Sequence, residues 1–428
     1  MSIQELYKRF IQHPSVQTDT RKIKKGDIFF ALKGPNFNGN AFALRALEMG
    51  AAYAVVDDVI DSADPRIITV TDSLATLQAL AKYHREQFTI PFIAITGSNG
   101  KTTSKELIYA VLSSHYKTYT TQGNLNNHIG VPLTLLSVRS DAEMAVIEMG
   151  ANHQKEIESY CIYTQPTHGV ITNCGKAHLE GFGGIEGVKK GKGELYDFLS
   201  AHDGTAFVYA DYDYLNNMSK AIKHIVKYGQ SEGLVQGNIL SNEPFLQVGI
   251  TSGMQNISSI QTQLVGDYNL PNILCAAVIG KYFSVPEEKI KAAIEQYAPS
   301  NSRSQLLQKD SNTIILDAYN ANPTSMGAAI ENFAHLHAAK KVLMLGGMME
   351  LGADSMEEHK NIISLIKKYP WEQVVLVGGD FGKIDHGFTF FSDSTEAREW
   401  FKKQEFTQTH FLIKGSRSMQ MEKILEAV

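Results

Sequence analysis

The hydrophobic pattern of the first 88 residues alternates between helical spacing and short apolar runs. Near the N-terminus one helical face collects the apolar residues Ile3, Leu6, Tyr7, Phe10 and Ile11. Strands are predicted at residues 27–32, 54–56 and 67–70, and further helices at 41–49 and 72–87. Asp72 is a suitable N-cap for the last of these helices. The pattern predicts a small α/β domain over residues 1–88.

Between residues 89 and 299, apolar runs of strand length alternate with helical segments. The predicted strands include residues 93–96, 144–148, 169–172 and 206–209. Such alternation is typical of a largely parallel sheet covered by helices. Residues 231–265 differ, because short β-prone pieces are separated by Gly, Ser and Asn turns, which predicts an antiparallel edge. Helices at 271–283 and 286–297 would close this central domain.

A second alternating series begins after a linker at residues 298–302. Its predicted strands are 313–316, 341–345, 374–377 and 411–413, with helices between them. This arrangement predicts a Rossmann-like domain over residues 300–428. The expected fold class is therefore α/β with three domains: a small first domain, a central domain on a mostly parallel sheet, and a C-terminal Rossmann-like domain.

Composition narrows the class of protein. The chain has 428 residues, which suits two to four domains, and 40 basic against 45 acidic residues give a net charge of −5. No basic excess indicates a nucleic-acid surface, the N-terminus lacks an apolar signal core, and no apolar run reaches the roughly 18 residues of a membrane helix. Cys161, Cys174 and Cys275 lack metal-site spacing and indicate buried thiols in a reducing compartment. We expect a cytoplasmic, monomeric protein that binds small molecules, with neither nucleic acid nor a membrane as partner.

Residues 93–103 read Ile-Ala-Ile-Thr-Gly-Ser-Asn-Gly-Lys-Thr-Thr, the pattern of a strand, a glycine-rich turn and a helix start. Glycines let the backbone wrap around a polyphosphate, and the helix N-terminus adds partial positive charge. Lys101 would reach the terminal phosphates and Thr102 would hold Mg2+. The predicted phosphate loop consists of Gly97, Ser98, Asn99, Gly100, Lys101, Thr102 and Thr103.

The spacing of this loop carries further information. Only two residues separate Gly97 from Gly100, whereas the general phosphate-loop pattern has four residues between its glycines. The shortened spacing argues against an ordinary GTPase or motor. A chance glycine turn before a surface lysine is the plain alternative, and the order of strand, turn, Lys-Thr and helix argues against it.

Polar residues just beyond predicted strand ends are candidates for a site, because ligands bind outside the carboxyl ends of such strands. Glu148 ends the run 144–148 and could coordinate Mg2+, while His178 follows the strand at 169–172. Lys190 and Lys192 lie at a basic helix start. Taken singly, each of these residues has an ordinary alternative. Glu148 would be a solvated acid, His178 a structural histidine, and Lys190 and Lys192 a solvated pair.

Five separated blocks resemble the Mur ligases. Two of them resemble, within that family, the enzymes that add D-alanyl-D-alanine: Asn-Leu-Asn-Asn-His-Ile-Gly-Val-Pro-Leu-Thr at 124–134 and Asp-Ala-Tyr-Asn-Ala-Asn-Pro at 317–323. The others are residues 96–103, Glu-Met-Gly-Ala-Asn at 148–152 and Lys-Gly-Ser-Arg at 414–417. In addition, residues 18–21 and 26–34 resemble the family's uridine-nucleotide domain. The resemblance covers all three predicted domains in order.

The resemblance implies a reaction: ATP-dependent addition of D-alanyl-D-alanine to UDP-N-acetylmuramoyl-tripeptide through an acyl phosphate, a step in cytoplasmic peptidoglycan synthesis. It implies ATP and Mg2+ as cofactors. Lys101 would contact the β- and γ-phosphates, and Thr102 and Glu148 would hold one Mg2+. His178 and a carbamylated lysine would hold a second Mg2+, because a carbamate supplies oxygen ligands whereas an ammonium is repelled. The family's spacing assigns that lysine to Lys192, with Lys190 as the alternative.

The resemblance implies further roles, some for nucleotide and some for substrate. Asp317 would be the ribose-binding acid, and Arg303 would meet the ATP phosphates after domain closure, although an exposed linker arginine is its plain alternative. The implied nucleotide contacts are Asn269, Asn272, Arg303, Asp317 and Asn320. The implied substrate contacts are Thr20, Arg21, Asn126, Lys414 and Arg417. Among these, Lys414 and Arg417 would receive carboxylates, since Arg pairs with them bidentately. Tyr268 stands where the family often has histidine, so no direct role is implied for it.

Three alternatives differ in what they require. Ligases that add one amino acid carry an Asn-Pro-Arg-type block, whereas here Asn322-Pro323 is followed by threonine. A folylpolyglutamate synthetase would not have a first domain resembling a uridine-nucleotide binder. A nucleotide-dependent switch would need the phosphate loop and one Mg2+ site, but not His178 or Lys192. The sequence leaves open whether the third residue of the tripeptide is diaminopimelate or lysine, and how strictly D-alanyl-D-alanine is selected.

Overall fold

The computed structural model describes residues 1–300 and 302–426, and three main sheets follow one another along the chain. The first belongs to the N-terminal unit, residues 3–85. The elements of this unit are α1 (Ile3–Gln12), β1 (Val16–Gln17), β2 (Ile28–Phe30), β3 (Lys33–Gly34), β4 (Phe37–Asn38), α2 (Ala43–Glu48), β5 (Tyr53–Val56), β6 (Ile67–Thr69) and α3 (Ser73–Arg85). Its parallel sheet has the order β1-β2-β5-β6, beside a β3–β4 hairpin.

The central unit, residues 92–296, has a nine-stranded sheet. Its elements are β7 (Phe92–Thr96), α4 (Lys101–Ser113), β8 (Thr118–Thr120), α5 (Gly130–Ser137), β9 (Met144–Glu148), α6 (Glu156–Thr164), β10 (His168–Ile171), α7 (Leu179–Phe182), α8 (Ile185–Ala201), β11 (Thr205–Tyr209), α9 (Asp213–Met218), β12 (His224–Gly229), β13 (Val235–Ser241), β14 (Gln247–Ser252), β15 (Ser259–Gln261), α10 (Leu270–Tyr282) and α11 (Glu287–Gln296). The strand order is β15-β14-β13-β12-β11-β10-β7-β9-β8. β14 is antiparallel to both of its neighbours, β13 and β15, which confirms the predicted antiparallel edge.

The C-terminal unit, residues 302–426, has a six-stranded sheet. Its elements are β16 (Gln305–Lys309), β17 (Asn312–Asp317), α12 (Pro323–His335), β18 (Lys341–Gly346), α13 (Ser355–Ile366), β19 (Gln373–Val377), β20 (Thr389–Phe391), α14 (Ser394–Phe401) and β21 (His410–Lys414). The strand order is β16-β17-β21-β18-β19-β20, and all pairs except β16–β17 are parallel. The expected Rossmann-like sheet is therefore present.

Helix α3 joins the N-terminal unit to the central unit by packing against α5 and α6. Asp72 caps its start, since the carboxylate accepts from the Ala75 N–H at 2.8 Å, as the sequence predicted. At its other end Arg85 is buried and donates to the carbonyls of Thr164 and Gln165, both at 2.9 Å. These carbonyls close helix α6, so the guanidinium fixes one unit on the other.

Seven strands were missing from the sequence prediction: the short strands β1, β3 and β4 of the N-terminal unit, and β8, β12, β16 and β20. β8, β16 and β20 lie at or near sheet edges, where a strand needs few apolar residues. The predicted domain boundaries at 88/89 and 299/300 remain predictions, and Asn301 of the predicted linker lies outside the described residues. Over the described ranges, no helix combines the length and apolar character that crossing a membrane requires.

Candidate active site

A cavity of about 860 Å3 lies at the carboxyl ends of the central and C-terminal sheets. From the central sheet it collects loops that follow β7, β9 and β10, and from the C-terminal sheet residues at the ends of β17 and β21. Most of the residues predicted to form a site line it. They are Ser98, Asn99, Gly100, Lys101, Thr102, Thr103, Asn126, Glu148, His178, Asn269, Asn272, Arg303, Asp317, Asn320 and Lys414.

The phosphate loop follows β7, whose five residues are all buried. Gly97 and Gly100 both have positive φ, at 144° and 80°. A Cβ on Gly97 would lie 2.0 Å from the Thr172 hydroxyl oxygen, and one on Gly100 would lie 2.7 Å from Oδ1 of Asn272. Both positions therefore require glycine for backbone conformation and for close approach. Helix α4 begins directly after this turn, at Lys101.

Lys101 folds back over the loop it follows. Its Nζ donates to the carbonyls of Gly97 at 2.6 Å and Ser98 at 3.1 Å. Burial lowers the pKa of Lys101 to about 8; Glu148 opposes this shift, and Arg303 adds to it. The cavity thus brings two cations, Lys101 and Arg303, toward one region, which suits an anionic ligand such as a triphosphate.

Glu148 ends β9 and is almost completely buried. Its Oε1 accepts from the Thr102 hydroxyl at 3.1 Å and from the Asn126 amide at 2.8 Å. Its Oε2 is buried and has no hydrogen-bond partner within residues 1–300 and 302–426. A buried carboxylate oxygen without a partner, beside a hydroxyl, matches the oxygen donors that Mg2+ prefers. These residues fit a divalent cation.

Lys192 lies on α8 and is 1% exposed, whereas Lys190 on the same helix is exposed. Its Nζ donates to the Ala151 carbonyl at 3.1 Å and lies 4.8 Å from the centre of the Phe182 ring. Burial, followed by the nearby charge of Lys101, lowers the pKa of Lys192 to about 7. An amine whose pKa is lowered in this way loses its proton, and becomes nucleophilic, more readily than an exposed lysine does.

His178 precedes α7 in a left-handed conformation, with φ of 53°. Its Nδ1 faces the carboxylate of Glu350, which comes from the C-terminal unit. This contact lowers the pKa of Glu350. His178 is therefore held at the boundary between the two units, at the same end of the sheet as Glu148.

The amides of Asn269 and Asn272 are engaged within the protein. Asn272 donates to Oδ1 of Asn269 at 2.9 Å, and the Ser104 hydroxyl donates to Oδ1 of Asn272, also at 2.9 Å. Together they tie α4 to α10, beside the phosphate loop. Tyr268, next to them, is hydrogen-bonded to the Ser304 hydroxyl at 3.0 Å, so it links the central and C-terminal units.

The C-terminal unit contributes Asp317, Lys414 and Arg303 to the cavity. Asp317 Oδ2 accepts from Lys414 at 2.5 Å, and Oδ1 accepts from the Ser304 N–H at 3.1 Å. The carboxylate that Lys414 contacts is thus that of Asp317, not one left for a substrate. Arg303 stacks on the Tyr319 ring, with Cζ at 3.5 Å from the ring centre.

Three residues predicted to bind substrate lie apart from the residues that line the cavity. Arg417 has a largely exposed side chain that is paired with Glu422. Thr20 and Arg21 belong to a 3-10 turn of the N-terminal unit. Arg21 is paired with Asp19, and this hydrogen bonding lowers the pKa of Asp19 to about 2. The structure does not bring these three residues together with the phosphate loop.

Several cavity residues were missing from the sequence prediction. Tyr212 and Tyr214 stack on one another with ring centres 5.5 Å apart, and Lys176 and Thr324 lie where the two units meet. Thr324 follows the block 317–323 directly, so extending that block by one residue would have found it. The two tyrosines carry no motif, and only the fold brings them to the cavity.

Comparisons with known proteins agree with this arrangement. The family model described as "Mur ligase middle domain" matches residues 95–280, and the one described as "Mur ligase, glutamate ligase domain" matches residues 302–417. The chain belongs to the Mur ligase family. It is 32% identical to the UDP-N-acetylmuramoyl-tripeptide–D-alanyl-D-alanine ligase of Bacillus subtilis, over 98% of this chain and 94% of that enzyme. The enzyme of the same name from Escherichia coli is 34% identical, over 97% of this chain and 93% of its own length.

Solved structures of MurF enzymes have the same fold as this chain. MurF from Acinetobacter baumannii superposes with a TM-score of 0.86 at 32% identity, covering 96% of this chain and 92% of that one. MurF from Thermotoga maritima, solved in complex with ADP, superposes with a TM-score of 0.85 at 24% identity over 96% of each chain. At that identity the second likeness shows the fold alone.

Proposed function

We propose that this protein is an ATP-dependent ligase that joins D-alanyl-D-alanine to the free carboxylate of UDP-N-acetylmuramoyl-tripeptide in peptidoglycan synthesis. The observation that carries the proposal is the meeting, in one cavity, of the phosphate loop and Glu148 with Asp317 of the C-terminal unit. Near full-length similarity to ligases of that name supports the substrate class.

The chemistry explains why a phosphate loop serves an amide-forming enzyme. A carboxylate resists attack by an amine because its oxide does not leave. Transfer of the γ-phosphoryl group from ATP to a carboxylate oxygen forms an acyl phosphate and releases ADP. The amine of D-alanyl-D-alanine then attacks the carbonyl carbon, the tetrahedral intermediate expels phosphate, and the amine loses its proton.

Positioning and charge neutralisation dominate phosphoryl transfer. In the proposed complex Lys101 leaves the carbonyls of Gly97 and Ser98 and pairs with the β- and γ-phosphates. Arg303 leaves the Tyr319 ring to add a second positive charge. The helix α4 N-terminus and the loop N–H groups hold the remaining phosphate oxygens.

Mg2+ is proposed as the cofactor that neutralises the phosphate oxygens during transfer. Thr102 and Glu148 would hold one ion, and the unpartnered Oε2 of Glu148 supports this. His178 and carbamylated Lys192 would hold a second ion. Carbamylation requires a neutral amine, and the pKa of about 7 for buried Lys192 favours it there over the exposed Lys190.

Nucleotide and peptide are proposed to approach from different sides. Asp317 would accept the ribose hydroxyls, since a carboxylate has further lone pairs beyond those used by Lys414 and Ser304. Asn269, Asn272 and Asn320 would line the nucleotide, and Asn126 the carboxylate to be activated. Thr20 and Arg21 would bind the uridine diphosphate on the N-terminal unit. Arg417 would receive a substrate carboxylate.

A ligation assay tests the proposed function. The protein is given ATP, UDP-muramoyl-tripeptides that carry either diaminopimelate or lysine, and several D-dipeptides, and the product is identified by its mass. We expect a pentapeptide product with D-alanyl-D-alanine, and rapid phosphate release that requires both substrates. Phosphate release that is independent of both would indicate a nucleotide switch and contradict the proposal. A cytoplasmic location and a monomeric state complete the proposal, and sedimentation of the purified protein tests the latter.

A further inference from the structure

The loop of residues 173–178, which carries His178, is attached on one side to the phosphate loop. Asn173 accepts from the Ser98 N–H through its carbonyl at 2.9 Å and from the Asn99 N–H through its side chain at 3.1 Å. The Ser98 hydroxyl donates to the Gly175 carbonyl at 2.8 Å. The position of this loop is therefore coupled to that of the phosphate loop.

On its other side the same loop contacts the C-terminal unit. The Lys176 N–H donates to the Thr324 hydroxyl at 2.9 Å, in the first turn of α12. A Cβ on Gly175 would lie 2.9 Å from that hydroxyl oxygen, so the two units approach closely here. The loop is held between the phosphate loop and the C-terminal unit.

The Lys176 side chain makes a further contact across the boundary. Its Nζ lies 2.6 Å from Oε1 of Glu358 on α13. The Glu358 side chain is only 11% exposed, whereas that of Lys176 is 47% exposed. Among the ion pairs of residues 1–300 and 302–426, Lys176 is the one cation paired with Glu358. A carboxylate this buried depends on its partner more than a surface acid does.

We propose that Lys176 and Glu358 form the ion pair through which the C-terminal unit holds the His178 loop in its working position. Both are positioning residues, since they act through the loop. The inference rests on the proposed ligase activity, because that activity gives the His178 loop its role. Without the pair, the C-terminal unit would dock less often in the arrangement that brings Glu350 and Thr324 to this loop.

The test is a charge exchange. Lys176→Glu would oppose two carboxylates, and Lys176→Glu combined with Glu358→Lys would restore an ion pair of reversed polarity. Lys176→Met removes the charge but keeps an apolar stem. The control is Lys223→Glu, because Lys223 forms an exposed pair with Asp203 inside the central unit.

The first measurement is a distance between spin labels, and it needs no substrate. Labels at Lys220→Cys and Lys403→Cys report on the central and C-terminal units, because both lysines are exposed and the native cysteines are buried. We expect a narrow distance distribution in the parent and in the control. Lys176→Glu should broaden or shift it, and the exchanged pair should restore it. A distribution unchanged by Lys176→Glu, with the melting temperature intact, would overturn the inference.

The second measurement is steady-state ligation. Lys176→Glu should lower kcat by roughly tenfold or more, with a smaller change in KM for ATP, and the exchanged pair should return to within about threefold of the parent. Lys176→Met should fall between them. If the exchanged pair ligates no faster than Lys176→Glu alone, the inference is contradicted. Absence of ligation by the parent would instead contradict the proposed function, and the distance measurement would still decide the role of the pair.

Discussion

Lys414 and Asp317 end two neighbouring parallel strands in direct register, with 2.5 Å between Nζ and Oδ2. The lysine is 2% exposed, and its Nζ also lies 3.3 Å from the Asn320 carbonyl. Two residues expected to bind different ligands thus contact each other. Lys414 fixes the carboxylate that is proposed to bind the ribose.

Replacing Lys414 should therefore weaken nucleotide binding. Lys414→Met leaves the Asp317 carboxylate without its cation, so we expect KM for ATP to rise by about tenfold or more, equal to about 1.4 kcal/mol. KM for the UDP-peptide should change little. Steady-state kinetics with each substrate varied in turn decide this, and a rise confined to the UDP-peptide would favour a direct substrate role for Lys414.

Replacing Lys101 should abolish ligation while the fold remains. Lys101→Ala removes the cation that is proposed to pair with the β- and γ-phosphates, and we expect kcat/KM to fall by about 1,000-fold, or about 4 kcal/mol. Circular dichroism and the melting temperature provide the check on folding. His178→Ala should behave similarly, and near-normal ligation by either variant would remove that residue from the site.

The activity lost on replacing Lys192 should be partly restored by an added carboxylate. Lys192→Ala is expected to be inactive, and added formate should restore part of the rate by supplying the missing carboxylate. Lys190→Ala is the matched control, because Lys190 is exposed on the same helix, and it should retain full activity. Full activity of Lys192→Ala without formate would mean that the carbamate lies elsewhere.

The depressed pKa of Lys192 also predicts a pH dependence of stability. An unfolded lysine stays protonated up to about pH 10.5, whereas folded Lys192 loses its proton near pH 7. Between these values the unfolded state binds more protons, so the free energy of unfolding rises as pH increases from about 7 toward 10.5, and below about 7 this group adds no further pH dependence. Lys192→Met should flatten this rise by up to about 1.4 kcal/mol per pH unit. Denaturant melts in CO2-free buffer between pH 6 and 9 measure it, and identical slopes for parent and variant would contradict the burial argument.

Much of this fold can be predicted from the sequence because short local patterns determine its strands, turns and helix starts. The run 93–103 contains its strand, glycines and helix start within eleven residues, and Glu148 and His178 follow apolar runs that end at the same sheet edge. The Lys414–Asp317 pair and the Lys176–Glu358 pair join residues far apart in sequence, so strand order and unit docking had to be known first. For the same reason the sequence could not indicate that Arg303 rests on Tyr319.

The central claim is that the cavity activates a carboxylate as an acyl phosphate. Its most direct test uses UDP-muramoyl-tripeptide whose terminal carboxylate carries 18O, with ATP and D-alanyl-D-alanine. The carboxylate oxygen that attacks the γ-phosphorus leaves with phosphate. When both carboxylate oxygens are labelled, each amide bond formed should therefore release one phosphate that contains a single 18O. Unlabelled phosphate released during amide formation would contradict the account.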